Sequence, residues 1–415
     1  MGGPCSDAGQ TPLTLAVAET APVKHVVSLS TLYPNPANPR FGTFVARSLE
    51  ALAKRGDWRV TVINPLGLPP LVFGRYREVA SLPALAEEGG ITIHRPHFTL
   101  IPRIGAMRNP ASIARAVLPL VQQINAEHPI DVLDAQFFFP DGPAAAAISR
   151  ETGLPLSIKA RGSDITLWGR QDGAREQIVD AATQASGLLA VSDDLAKQMA
   201  AMGMAADKIT LHYTGLDRDR FRPLAHMQLR AQLGSELGFD LPAGAPVLVT
   251  VGALIERKGQ ALVIEALRDL SDARLILVGK GEDESKLGAL AARFGVAQRV
   301  HFAGSLDHDM LPLVLSAADA MVLPTANEGL ANAWVEALAC GTPLVTCDVG
   351  GARELVTSDL AGKLVERSAA AVAEGVREVF ANPRDRQAVA ALTEHFSWDA
   401  NAAALAAHFE RLAAR

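Results

Sequence analysis

Residues 247–259 read Val-Leu-Val-Thr-Val-Gly-Ala-Leu-Ile-Glu-Arg-Lys-Gly. An apolar run stops at Gly252, and two adjacent cations, Arg257 and Lys258, precede an apolar stretch of helical period. Continuous rather than alternating apolar residues mark a strand covered on both faces, the condition of a parallel sheet between helix layers. The same unit recurs downstream. Strands are expected at 247–252, 273–279, 299–303, 320–323 and 343–346, with helices between them and a last helix at 398–413. Upstream the rhythm is similar: strands at 24–30, 59–63, 91–94, 130–134, 156–160, 188–191 and 209–212. A helix at 41–55 carries Phe44, Val45, Leu49 and Leu52 on one face. Residues 214–245 interrupt the pattern with charge, glycine and proline, as a connection with a surface helix would. Right-handed crossovers then give α/β architecture with two doubly wound domains. Their carboxyl-end crevices face one another across a cleft.

Composition agrees with this division. A chain of 415 residues exceeds one typical domain, and its 49% hydrophobic content supplies two cores. Lys and Arg number 39 against 45 Asp and Glu, so the net charge is −6 and no basic field exists to attract nucleic acid. Three cysteines, Cys5, Cys340 and Cys347, form neither a disulfide framework nor a metal-ligand spacing, so a reduced, cytoplasmic setting is expected. The first thirty residues lack a basic start followed by a long apolar run, and no apolar stretch reaches the ~18–20 residues of a membrane span.

The second half carries the chemistry. Cations at a helix start oppose the helix dipole unless an anion compensates them, so Arg257 and Lys258 point to a bound phosphate. The strand ends Gly252, Gly279-Lys280-Gly281 and Phe302-Ala303-Gly304 lie at one crevice, where backbone groups can hold a nucleotide base. Further on, Glu328-Gly329-Leu330-Ala331-Asn332 turns into a helix bearing Glu336, closed by Gly341. Free amides of that turn suit an anion, and carboxylates accept paired hydrogen bonds from sugar hydroxyls. Glu336 sits within Trp334-Val335-Glu336-Ala337-Leu338, where a carboxylate needs a partner.

These motifs, taken in order with Gly350-Gly351-x-x-Glu354, resemble the nucleotide-sugar domain of retaining GT-B glycosyltransferases, family 4. The resemblance extends over residues 24–412 and is densest at 246–357. It implies GT-B architecture, two Rossmann-like domains facing across a cleft, with the C-terminal helix crossing back to the first. The expected parts are an N-terminal tail at 1–22, disordered or loosely packed, and an acceptor-binding domain at 23–215. A connection at 216–245, a nucleotide-sugar domain at 246–395 and a crossover helix at 396–415 complete the chain. The resemblance further implies that Arg257 and Lys258 hold the donor diphosphate and stabilise its departure. By the same comparison Glu328 binds the transferred sugar, Glu336 the ribose, and the backbone of Gly329, Leu330, Ala331 and Asn332 the sugar and phosphates. Gly42, in the Pro/Asn-rich loop 33–44, is similar to the family's glycine loop facing the donor phosphates. No metal and no cofactor beyond the nucleoside diphosphate sugar co-substrate are implied, since cations and helix amides supply the electrostatics. The Asp-x-Asp strings at 217–219 and 307–309 are expected to be surface charge.

In the first domain, Gln136 follows one buried strand, and Arg161-Gly162-Ser163-Asp164 follows another. Gln136, Arg161 and Asp164 are the expected acceptor contacts, with Gln136 standing where the family often carries histidine. Residues 91–120 mix Phe98, Leu100, Ile101, Ile104 and Met107 with Arg103, Arg108 and Arg115, a composition that suits either an acidic membrane surface or an ordinary helix with its preceding loop. The function implied is metal-independent hexosyl transfer, with retention, from a UDP- or GDP-sugar to a saccharide or lipid-linked acceptor in envelope polysaccharide synthesis. The setting expected is the cytoplasm, with contact at the inner membrane face under the first of the two readings of segment 91–120. Two alternatives fit the same motifs: a nucleotide-sugar epimerase on this fold, and a non-catalytic nucleotide-sugar-binding subunit.

Overall fold

The computed structural model describes residues 23–74, 76–101, 105–242, 244–307 and 309–414. The expected tail at 1–22, and Arg103 and Ile104 of the basic-apolar segment, lie outside them. In chain order the first domain holds β1 (Lys24–Leu29), β2 (Trp58–Ile63), β3 (Leu66–Leu68), β4 (Leu85–Glu88) and β5 (Ile91–His94). It continues with β6 (His97–Thr99), β7 (Val132–Ala135), β8 (Leu156–Ala160), β9 (Gly187–Ala190) and β10 (Ile209–Leu211). Eight of these form one sheet, ordered β10-β9-β8-β7-β1-β2-β5-β4, with only β4 antiparallel to its neighbour. β3 and β6 pair as a separate parallel ribbon. The second domain holds β11 (Val247–Val251), β12 (Arg274–Val278), β13 (Val300–Gly304), β14 (Ala320–Leu323), β15 (Leu344–Cys347) and β16 (Gly362–Val365). Its parallel order is β13-β12-β11-β14-β15-β16.

Each sheet reverses its order once, between β1 and β7 in the first and between β11 and β14 in the second. Ligands of doubly wound sheets bind outside the carboxyl ends at such points. Val249 lies opposite Met321, so the chain leaves the second sheet side by side after Val251 and after Leu323. Sheet order is thus what brings the Arg257-Lys258 turn to Glu328.

Strands β1, β7, β8, β11 and β14 are buried almost throughout, as their apolar runs require. The strands absent from the sequence reading lack that signal. β4 is an exposed edge of sequence Leu-Ala-Glu-Glu, and β16 is a half-buried edge beginning with glycine. The last helix, Trp398–Ala413, crosses back as expected. Phe409 meets Trp58 with ring centroids 5.5 Å apart, and the Ser48 hydroxyl donates to Asn401 Oδ1 at 2.6 Å.

Of the two readings of segment 91–120, the structure shows the ordinary helix with its preceding loop. Ile113, Val117 and Val121 of helix Asn109–Glu127 face the first domain's core, and Phe98 is buried with them. The apolar half of the segment 91–120 is therefore mostly packing. Exposed apolar surface lies instead at Leu71 (78% exposed), Val72 and Phe73 (64%), with Ile101. These residues and Ile101 follow the paired strands β3 and β6 at the same end of the ribbon.

Candidate active site

Gly279 is held at φ 138°, and a Cβ there would strike the carbonyl oxygen of Gly252; one on Gly281 would strike that of Leu254. The loops after β11 and β12 therefore lie backbone on backbone, a floor only glycine permits. Gly252 N donates to Val278 O at 2.9 Å, and Gly279 N to Gly304 O at 2.7 Å. Phe302 turns its ring onto the core of the second domain, so only its backbone belongs to this crevice.

The chain then makes a single 3-10 turn, Glu256–Lys258, before helix Gln260–Ala266. Ala326 N donates to Arg257 O at 2.8 Å, tying this turn to the loop after β14. The result is a compact charged group. Glu328 Oε1 accepts from Lys258 Nζ, from an Arg257 guanidinium nitrogen at 3.2 Å and from the Thr325 hydroxyl at 3.1 Å. Lys258 and Glu328 are half-buried and Arg257 is exposed. Two cations against one carboxylate leave a net positive charge at the switch point of the sheet.

Behind Glu328, Gly329, Leu330 and Ala331 are buried and lead into helix Asn332–Ala339. Gly351 N donates to Gly329 O at 2.7 Å, which fixes the turn from below. Trp334, Ala337 and Leu338 pack inward, whereas Asn332, Val335 and Glu336 line a small pocket. Thr43, Phe44 and Arg47 of the first domain close it from the other side, with Asp217 and Trp398. Burial there raises the Glu336 pKa to about 7. Asp217 therefore faces an interdomain pocket, a correction to its assignment as surface charge. Asp307 is exposed as expected, yet pairs with Arg40 of the first domain at 2.9 Å.

Gly42, at φ 72°, starts helix Thr43–Lys54, so this glycine loop delivers Phe44 to the cleft. The Phe44 ring carries the Arg161 guanidinium 4.8 Å from its centroid. Arg161 Nε donates to Gln136 O at 2.7 Å and another guanidinium nitrogen donates to Gln136 Oε1. Gln136 in turn donates to Asp134 Oδ2 at 2.5 Å, and Asp134 also accepts from the Ser28 hydroxyl at 2.6 Å. Burial lowers the Arg161 pKa to about 10, so it stays charged at neutral pH.

Arg161 lines a cleft of about 760 Å³ together with Ser163, Arg170, Arg257 and Glu328. Two other expected acceptor contacts do not reach it with free polar groups. Gln136 is buried and spent on Asp134 and Arg161. Asp164 is buried and accepts the amides of Phe138, Arg161, Gly162 and Ile165. Gln136 orients Arg161, and Asp164 shapes the loop. Sequence reading missed Phe44 as a lining residue, and it gave Glu354 no role. Glu354 Oε1 accepts from Asp193 N at 2.9 Å, and its Oε2 from the Tyr213 hydroxyl at 2.8 Å, a bond set between domains. Only the position of Glu354 in a glycine-rich motif hinted at this. Among the described residues, no group of three or more His, Cys, Asp or Glu is placed to hold a metal ion.

This geometry can be set beside known proteins. Residues 238–394 match the model of the glycosyl transferases group 1, and residues 41–220 match that of glycosyltransferase family 4. The teichuronic acid biosynthesis glycosyltransferase TuaC of Bacillus subtilis (strain 168) is 28% identical over 358 residues, 85% of this chain and 88% of its own. The D-inositol 3-phosphate glycosyltransferase of Mycobacterium tuberculosis (strain F11) is 32% identical over 250 residues, 57% of this chain and 50% of its own. Among solved structures, a sucrose-phosphate synthase from Thermosynechococcus elongatus superposes with a TM-score of 0.75 at 20% identity, covering 94% of this chain and 99% of its own. The Anabaena protein HepE, solved in complex with UDP, gives 0.70 at 20% identity, covering 94% and 100%. Two facing parallel-sheet domains, a cation-carboxylate group at the switch point and both family models lead to one assignment: the chain belongs to glycosyltransferase family 4, the retaining group 1 enzymes of GT-B fold, which use nucleotide-sugar donors.

Proposed function

We propose that this enzyme transfers a hexose, with retention and without a metal ion, from a UDP- or GDP-sugar to a saccharide or lipid-linked acceptor of an envelope polysaccharide. The observation that carries the reading is the contact of Lys258 and Arg257 with Glu328 at the β11/β14 switch point. In the proposed reaction the donor diphosphate takes over both cations. Glu328, relieved of them, accepts a hydroxyl of the transferred sugar. The amides following Gly329 face the same anion. Glu336, in its pocket beside Phe44, accepts from the ribose hydroxyls. As the glycosidic bond breaks, charge builds on the leaving phosphate, where Lys258 and Arg257 stabilise it. That phosphate receives the acceptor's proton on the same face, so no carboxylate nucleophile is required. TuaC, by name a teichuronic acid biosynthesis enzyme, supports the polysaccharide assignment, and the UDP held by HepE supports the donor class.

The domain roles follow: an acceptor domain at 23–215, a connection at 216–245, a donor domain at 246–395 and a crossover helix at 396–415. A cytoplasmic enzyme working at the inner membrane face would use the exposed Leu71, Val72 and Phe73 against lipid. Among the described residues no helix is long and apolar enough to cross a membrane.

The test is a thermal-shift screen of nucleoside diphosphates and their sugars, followed by turnover with and without saccharide acceptors. UDP or GDP should raise the melting temperature, and donor should be consumed faster when acceptor is present. Consumption independent of acceptor, yielding an isomerised donor, would favour an epimerase.

A further inference from the structure

Four cations, Arg161, Arg170, Arg257 and Lys258, against one carboxylate, Glu328, leave the larger cleft one positive charge beyond what the two negative charges of a donor diphosphate cancel. Arg161, Arg170 and Arg257 face it against one carboxylate, Glu328, which already engages Lys258 and Arg257. In the donor reading Arg257 belongs to the diphosphate. Arg161 and Arg170 remain, both on the first-domain wall, with Ser163 and Gln171 beside them. Among the described residues neither arginine forms an ion pair. The hydrogen bonds of the Arg161 guanidinium go to neutral acceptors, the carbonyl and side-chain oxygens of Gln136. Asp164, Asp134 and Asp141 act on the Arg161 charge through space, but none is bonded to the guanidinium: Asp164 accepts four amides, Asp134 Oδ2 accepts from Ser28 and Gln136, and Asp141 accepts from Thr31. A guanidinium withdrawn from solvent, with no carboxylate bonded to it, is further stabilised by an anion that bonds it directly. Its position is nevertheless fixed, because Gln136 grips one edge and the Phe44 ring supports one face. A planar cation held so rigidly is suited to a carboxylate or phosphate.

We infer that the acceptor is anionic: the cleft takes a saccharide bearing a carboxylate or phosphate beside the attacking hydroxyl, and Arg161 and Arg170 read that charge. The inference rests on the donor reading above, since it assigns the second anion only after the first has been placed.

The experiment uses the full chain saturated with UDP or GDP, whichever raises its melting temperature more. Calorimetry then compares three probes that differ only at C6: methyl glucoside, methyl glucuronoside and methyl glucoside 6-phosphate. At least one charged probe should bind about tenfold or more tightly than the neutral one. The stronger of the two assigns the anion as carboxylate or phosphate. Arg170→Gln, at an exposed position, should narrow that ratio several-fold while the nucleotide-induced thermal shift persists. In the wild-type chain the ratio should fall with added salt. Equal affinities, no binding by either charged probe, or a ratio unmoved by Arg170→Gln and by salt would each overturn the inference. So would a charge preference confined to the donor, seen as UDP-glucuronate over UDP-glucose with no preference among the acceptor probes. Failure of every nucleotide to shift the melting temperature would instead strike the donor reading, so the two failures are distinct.

Discussion

A Cβ placed on Gly162 would stand 3.0 Å from the amide nitrogen of Gly329, across the boundary between the domains. In the reverse direction, a Cβ on Gly329 would lie 2.7 Å from the carbonyl oxygen of Arg161. The two lobes touch backbone to backbone beside Glu328. Side chains on either glycine would hold them apart.

Gly329→Ala should therefore separate the Arg161 wall from the Glu328 turn. Misplacement of about 1 Å can cost ~100-fold in rate, so kcat/KM should fall by about that factor. The melting temperature should change little, because neither core loses a contact. A variant with full activity would show that the lobes need not meet this closely.

Lys258→Ala should fold, since Arg257 and Thr325 still satisfy Glu328. The loss of transition-state stabilisation should be about 3 kcal/mol, read as a drop in kcat with a smaller change in KM. Combining it with Glu328→Gln should give less than the sum of the separate losses, because the two side chains act on one another.

The Glu336 carboxyl yields a pH signature. Its folded pKa of about 7 lies above the ordinary 4.5, so the folded state holds its proton more tightly than the unfolded chain. Stability from this group is fully present below pH 4.5 and is lost as pH rises to about 7. Glu336→Gln cannot ionise. In the absence of nucleotide it should match the wild type at pH 4.5 and exceed it at pH 8, by up to ~3 kcal/mol. Melting temperatures at the two pH values provide the check. The same variant should bind nucleotide more weakly, since an amide presents one acceptor oxygen to the ribose where a carboxylate presents two.

Glu354 fastens the domains from below. Its oxygens take the Asp193 amide, at the start of helix Asp193–Ala201, and the Tyr213 hydroxyl. Glu354→Ala should cost about 1 kcal/mol in stability from the lost helix-end contact. It should also raise KM for donor and acceptor together, because closing the cleft loses a stabilising contact. A variant altered in melting temperature but not in KM would confine Glu354 to a structural role.

Sequence alone determined the two doubly wound sheets, since β-branched runs such as 247–251 and 320–323 can be buried on both faces only between layers of helices. It also singled out Arg257, Lys258 and Glu328, whose charges stand where strands end and helices begin. What it could not supply was how side chains far apart in the chain divide their hydrogen bonds. Gln136 and Asp164 sit at carboxyl ends of strands and look like ligand contacts, yet both are consumed within the protein. Arg161 inherits the cleft because Gln136, twenty-five residues away, holds it there. The Phe44 ring beneath Arg161 and the hold of Glu354 on Asp193 arise only when the chain is folded. Local period reports which face of an element is buried. Which partner meets a polar group depends on packing between elements, and that geometry exists only in three dimensions.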